Sequence, residues 1–168
     1  MTAFLAAAHF DTFDLIASLR IKMGLFKRNN RIEVRAPKTE GDQERFVLRQ
    51  HAARWPELTN LLQRIRRLGE QMGGIEFGRI DLEMLPAGAC MDWRLDQGEE
   101  ILRYEHAIML LRTSPAVTFF AGSEVAAPGI GFLTIVSRRL PRSAINLGES
   151  AAIWLALDFR KRGEKADG

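Results

Sequence analysis

From Ile75 onward, apolar and polar residues change places at nearly every step. Ile75, Phe77, Arg79, Asp81 and Glu83 alternate against Glu76, Gly78, Ile80, Leu82 and Met84. A period near two predicts a strand, ending at Pro86-Ala87-Gly88. Further strands are predicted at Cys90 to Leu95, Ile101 to Arg112, Val117 to Ala121, Gly131 to Val136, Ser143 to Ile145 and Ala151 to Phe159. Turn-forming residues separate them: Asp96-Gln97-Gly98, Ser114-Pro115, Pro128-Gly129, Leu140-Pro141 and Asn146-Leu147-Gly148. Many short strands with no helices between them imply a sandwich, barrel or jelly roll.

Upstream the period is close to 3.6. Leu5, Phe10, Phe13, Leu15, Ile16, Leu19 and Met23 form a helical stripe over Thr2 to Phe26, with Lys22, Lys27, Arg28 and Arg31 gathered at its end. Such a basic amphipathic helix is expected to cover its own domain or a neighbouring subunit. Asn29-Asn30 and Ala36-Pro37 through Gly41 read as loops. Asp42 then suits a cap for a helix over Arg45 to Ala53, and Pro56 opens another after Trp55. Leu58, Leu61, Leu62, Ile65 and Leu68 give that second helix one apolar face, and Gly73-Gly74 ends it. The predicted class is α+β. Residues 1 to 73 form a helical region packed on or extending from a β domain at 74 to 160, with a polar tail at 161 to 168.

Composition narrows the chemistry. Among 168 residues there is one cysteine, Cys90, which excludes an internal disulfide and any multi-cysteine zinc site. Its expected place is in the core as a small hydrophobe. No apolar run reaches the roughly 18 residues a spanning helix needs. Asp11 and Asp14 interrupt any secretory signal, so the expected compartment is the cytoplasm. The net charge is +3, a mild excess that suits an anionic ligand. Arg64, Arg66 and Arg67 have no aromatic residues among them, which argues against a nucleic-acid surface. Gly-x-Ser-x-Gly, Walker and His-Glu-x-x-His motifs are all absent.

The order of the β-domain pieces is more specific than their number. Leu85-Pro86-Ala87-Gly88, Trp93-Arg94-Leu95-Asp96 and Thr113-Ser114-Pro115-Ala116-Val117-Thr118-Phe119 come first. Leu140-Pro141-Arg142-Ser143-Ala144-Ile145-Asn146-Leu147-Gly148 and Leu155-Ala156-Leu157-Asp158 follow. In this order they resemble the aspartyl/asparaginyl β-hydroxylase family of iron- and 2-oxoglutarate-dependent oxygenases, over roughly residues 75 to 160. The resemblance implies a double-stranded β-helix, a cupin-like jelly roll. It also implies a His-x-Asp pair and a distant histidine as iron ligands. Here the His-x-Asp slot reads Arg94-Leu95-Asp96 and the distant histidine falls on Arg142. The segment matching the family's 2-oxoglutarate arginine reads Ser150-Ala151-Ala152-Ile153.

A guanidinium is always protonated and offers a metal no lone pair. Asp96 is therefore the only surviving ligand candidate, and no cofactor is expected. Of the three histidines, His9 and His51 fall in predicted helices, and His106 lies on a predicted strand. The resemblance places Arg94 and Arg142 in the barrel mouth beside Asp96, as a charge cluster or as a site for an anion. Arg103, Arg112 and Arg139 lie near that mouth, with His106 a further candidate. The leading expectation is a pseudoenzyme that binds an anionic small molecule or a protein partner. A working hydroxylase requires iron and 2-oxoglutarate with rearranged ligands, for example Cys90, Asp92, Asp96 and His106. A third reading is a structural subunit, with the chain as a homo-oligomer or part of a larger assembly.

Overall fold

The computed structural model describes residues 3–22, 26, 30–37, 46–97, 103–112 and 116–162. Two antiparallel sheets face one another. The larger holds seven strands: β1 (Phe4–His9), β2 (Arg31–Pro37), β3 (Phe46–Leu48), β4 (Ile75–Leu85), β5 (Glu105–Arg112), β8 (Phe132–Val136) and β10 (Ala152–Lys161), ordered β1-β8-β5-β10-β4-β2-β3. The smaller is β7-β6-β9, from β7 (Glu124–Ala126), β6 (Val117–Ala121) and β9 (Arg142–Asn146). Among the described residues three helices complete the order: α1 (Phe13–Lys22), α2 (Gln50–Ala53) and α3 (Pro56–Gln71). This is the expected jelly roll, a double-stranded β-helix. Among the described residues no helix is long and apolar enough to cross a membrane.

Two cores follow from the alternation of the strands. On the outer face of the large sheet, Leu58, Leu61 and Ile65 of α3 pack with Ile80, Leu82, Leu155 and Leu157. Between the sheets, Leu110, Val117, Phe119, Val136, Ala144 and Trp154 form the second. The imperfect alternation of β4 has a structural cause. Against β10, the step from Leu157 to Phe159 is matched by the longer step from Ile80 to Phe77, so β4 carries one extra residue. Such a bulge reverses the facing of the strand. Ile75 and Phe77 therefore reach the same helix-side core as Ile80 and Leu82. Arg79, Asp81 and Glu83 are left facing the space between the sheets.

The predicted α3 stands as expected. Pro56 occupies its first turn, and its end is a turn through Gly73 and Gly74 at φ +100° and +88°, where side-chain-bearing residues are strained. The strands from Ile75 onward largely agree, although Cys90 to Leu95 is no continuous strand. It makes only two isolated bridges, Cys90 to Ile145 and Arg94 to Arg142. Ile101 and the Ser114-Pro115 turn lie outside the described residues. β7 was not expected. Its three residues pair with β6 through a tight turn at Gly122, too short a run to show periodicity.

The first 73 residues differ more. The stripe over Thr2 to Phe26 is not one helix: Phe4–His9 is an edge strand on β8, and the α-helix among the described residues is Phe13–Lys22. Leu5 and Phe13, counted in the stripe, are exposed. Ala36-Pro37 closes strand β2 rather than opening a loop. Of the helix expected over Arg45 to Ala53, residues 46–53 supply β3 and a single turn, α2, while Asp42 and Arg45 lie outside the described residues. Partners distant in sequence decide these strands, and tertiary pairing overrides local pattern. The stretch expected to be helical thus contributes β1, β2 and β3 to the large sheet itself. At the other end, Lys161 belongs to β10, and residues 163–168 are outside the described set. Cys90, expected in the core, is exposed.

Candidate functional site

A cavity of about 210 Å³ opens between the two sheets. Strand alternation decides what faces it. Arg79, Asp81 and Glu83 come from β4, Trp154, Ala156 and Asp158 from β10, and His106 and Ile108 from β5. The small sheet and its loops add Arg142, Ser143, Phe119, Phe120 and Arg138. Five arginines (Arg31, Arg79, Arg94, Arg138 and Arg142) face four carboxylates and one histidine.

The two positions that the resemblance marks for iron-binding histidines are direct neighbours. Arg94 and Arg142 exchange both backbone hydrogen bonds, at 2.8 and 2.7 Å. Arg142 donates from its terminal nitrogen to Asp96 Oδ2 at 2.7 Å. Arg94 does not join it. Its side chain is 54% exposed and lies 3.7 Å from Glu83, whose carboxylate also accepts from Trp154 Nε1 at 3.0 Å. The second arginine on Asp96 is instead Arg138, whose Nε donates to the same Oδ2 at 2.7 Å. Arg138 also lies 3.3 Å from Asp158, and Asp158 Oδ1 meets His106 Nδ1 at 2.8 Å. A charged chain thus runs Arg142–Asp96–Arg138–Asp158–His106 across the cavity.

Arg94, Asp96 and Arg142 all line the cavity, but the ion-pair partner of Arg94 is Glu83 rather than Asp96. His106 does face the cavity. Arg103, Arg112 and Arg139 are not among its described lining residues, nor is His9; the His51 side chain lies outside the described set. His9 stacks instead near Phe132, at 4.7 Å between ring centroids. Of the Arg138-Arg139 pair the buried residue is the first, at 8% exposure. Both lie in the turn after β8, where no strand period tells which of the two faces inward. Asp158 closed one of the motifs behind the resemblance, and Asp81 stood in the alternation of β4. Neither residue carries a sequence signal beyond that.

Electrostatics separates the two central carboxylates. Burial by itself would raise Asp96, but Arg142 and Arg138, with His106 further off, hold it below the ordinary carboxylate range. Asp81 is buried more deeply, at 5% side-chain exposure, and is bonded to Arg31. There burial wins and pushes the carboxyl up to about 6 despite that bond. Burial acts against the Arg31 cation too, but its bond to Asp81 prevails and raises its pKa. An acid with a raised pKa folds more favourably when protonated. Relative to Asp81→Asn, the wild-type protein is expected to lose roughly 2–3 kcal/mol of stability as pH rises from about 4 to about 6. Above about pH 7 the difference should be level. Urea unfolding of both proteins across that range checks it, and a difference that grew with pH would contradict it.

The residues present do not fit a facial-triad iron. Guanidinium groups occupy both positions that the resemblance assigns to histidines, and the remaining carboxylate, Asp96, is already held by two cations. Among the described residues no three histidine, cysteine, aspartate or glutamate side chains are grouped to hold a metal, Cys90, Asp92, Asp96 and His106 included.

No protein-family model matches the sequence. No curated protein matches it either. Solved structures do match its fold. A 2OG-Fe(II) oxygenase family oxidoreductase from Burkholderia pseudomallei superposes with a TM-score of 0.65 at 14% identity, covering 99% of this chain and 89% of that one. AviO1 from Streptomyces viridochromogenes gives 0.65 at 16%, covering 97% and 91%. A viral collagen prolyl hydroxylase from Paramecium Bursaria Chlorella virus-1 gives 0.59 at 12%, covering 95% and 90%. The chain has the double-stranded β-helix fold found in 2-oxoglutarate- and iron(II)-dependent oxygenases.

Proposed function

We propose that this chain is a degenerate relative of the aspartyl/asparaginyl β-hydroxylases, one that binds an anion where its relatives bind iron. The observation that carries this reading is the guanidinium at Arg142, hydrogen-bonded to Asp96 and paired through its backbone with a second arginine at the other ligand position. Arginine donates parallel hydrogen bonds that match a carboxylate or phosphate. The buried Nε–H groups of Arg31, Arg79 and Arg142 have no acceptor in the structure, and all three residues line the cavity. Buried donors without acceptors are costly, and an anion would satisfy them. The ligand's source is a small molecule or an acidic side chain of a protein partner.

The rival reading is an active iron(II)/2-oxoglutarate hydroxylase, favoured by the fold it shares with such enzymes. Anaerobic titration separates the two. Succinate is expected to bind to the metal-free protein, and Arg142→Met should weaken it at least tenfold. Stoichiometric iron(II) binding, with a charge-transfer band on adding 2-oxoglutarate, would establish the rival instead.

A further inference from the structure

Four of the five cavity arginines already have a carboxylate. Arg31 bonds to Asp81, Arg94 lies beside Glu83, and Arg138 and Arg142 share Asp96. Among the described residues Arg79 is the exception. No carboxylate stands within ion-pairing distance of its guanidinium, and its buried Nε–H has no acceptor. The positive charge that the cavity has to spare is therefore on Arg79, from the large sheet. The bulge in β4 sets its place. Gly78 and Arg79 together stand opposite Asp158, and a Cβ at Gly78 would lie 3.3 Å from that of Asp158. On its other side Asp158 is paired in register with His106 of β5. Arg79, Asp158 and His106 thus form one row across three adjacent strands, and all three line the cavity. The ends of the row are two strand spacings apart, roughly 10 Å along the backbone.

The two ends offer different chemistry. His106 Nδ1 meets Asp158 Oδ1 at 2.8 Å. A carboxylate accepts, so in the neutral ring Nδ1 carries the proton and Nε2 is left as an acceptor. Nε2 bonds to no described group. From this row we infer that the ligand is a small hydroxy acid with one negative charge. Its carboxylate meets Arg79, whose planar guanidinium can donate two parallel hydrogen bonds, and a hydroxyl donates to His106 Nε2. A dianion fits less well. Its second charge would be desolvated among four carboxylates with no uncompensated cation to meet it. The inference rests on the anion-binding reading and assigns the ligand's charge to Arg79, leaving the spare Nε–H of Arg142 for an uncharged oxygen. About 210 Å³ suits such a molecule, since drug-sized ligands occupy larger pockets.

Propionate, glycerate and succinate separate the parts of this inference. Glycerate is propionate with two hydroxyls, and succinate carries a second carboxylate instead. Calorimetric titration of the full chain should find glycerate at least tenfold tighter than either of the others. Arg79→Met should weaken glycerate at least tenfold without lowering the urea midpoint, because no carboxylate has that cation as its partner. His106→Ala should bring glycerate to within about twofold of propionate. Glycerate no tighter than succinate or propionate in the wild-type protein would overturn the inference while leaving anion binding intact. A preference that survived His106→Ala would overturn it as well. So would an Arg79→Met protein that kept its affinity for glycerate, or one that was markedly destabilised, which would give the cation a structural partner. Failure of all three acids to bind would overturn the anion reading and this inference together.

Discussion

Replacing Asp96 by asparagine is expected to cost about 3 kcal/mol of stability and to make the protein's stability respond to added anions. In the native chain one carboxylate oxygen accepts from Arg138 and Arg142, both at 2.7 Å. Those side chains are 8% and 19% exposed, so neither guanidinium can recover full hydration if the carboxylate is lost. Breaking one side of a buried ion pair costs more than the pair itself contributes, because the stranded charge stays where it is. An asparagine keeps one acceptor oxygen but no charge, so the loss falls at the lower end of that range. Sulfate should then take the empty position. At a hundred times its dissociation constant it would restore about 2.7 kcal/mol. Adding Arg142→Met to Asp96→Asn removes one of the stranded charges and should lessen both the loss and the sulfate response. Urea unfolding with and without sulfate reads all of this. A variant as stable as the wild type, or one indifferent to sulfate, would remove the electrostatic basis for anion binding.

Asp96 and Asp81 also respond to acid in opposite senses, though they line the same cavity. Asp96 is held below its ordinary range, so its contribution is complete above about pH 4 and is lost as pH falls through the native value. Asp81 has a raised pKa, and its contribution weakens on the way up to about 6. What separates them is the balance of burial against cations. Asp96 has two arginines within hydrogen-bond distance, whereas Asp81 has one and less water.

The distinction between what was and was not legible follows the range of the interactions. α3 could be read because its apolar face and its Pro56 and Gly73-Gly74 boundaries are local features. The strands after Ile75 could be read because alternation and turns are also local. The meeting of Arg142 with Asp96 was expected only through the family resemblance, which placed both at the barrel mouth. β1, by contrast, is recognisable only with β8 beside it, and β2 and β3 only with β4 in place. The walls of the site were hidden for a related reason. Whether Asp81 faces the cavity depends on the bulge in β4, and that bulge exists only in register with β10. Arg138 is in a loop, where no period says which of two adjacent arginines turns inward.

The second large effect is expected at Asn146, which the sequence marks as part of a turn and of one motif behind the resemblance. Its side chain is fully buried at the end of β9. The amide nitrogen donates toward the carbonyls of Leu85, Pro86 and Ser150 at 2.9–3.1 Å, and Oδ1 accepts from Gly148 N–H. Three carbonyls around one atom require it to be the nitrogen, so the amide has a single orientation. The backbone of Asn146 also donates to Ala89. These bonds tie the end of β4 to β9 just before the segment that carries Arg94 and Asp96. Asn146→Ala would leave several buried groups without partners and is expected to cost about 4 kcal/mol. Asn146→Asp should cost more at neutral pH, although it is nearly the same size, because a carboxylate would face three carbonyl oxygens with no proton to offer. Lowering the pH should narrow the gap between these variants as the aspartate gains a proton. Equilibrium unfolding at neutral and mildly acidic pH tests the order, and an aspartate variant more stable than the alanine at neutral pH would refute it. Because the tie precedes Asp96, the site should suffer as well. Asn146→Ala combined with Asp96→Asn should cost less than the sum of the two alone, since loosening the segment already releases the carboxylate from its arginines.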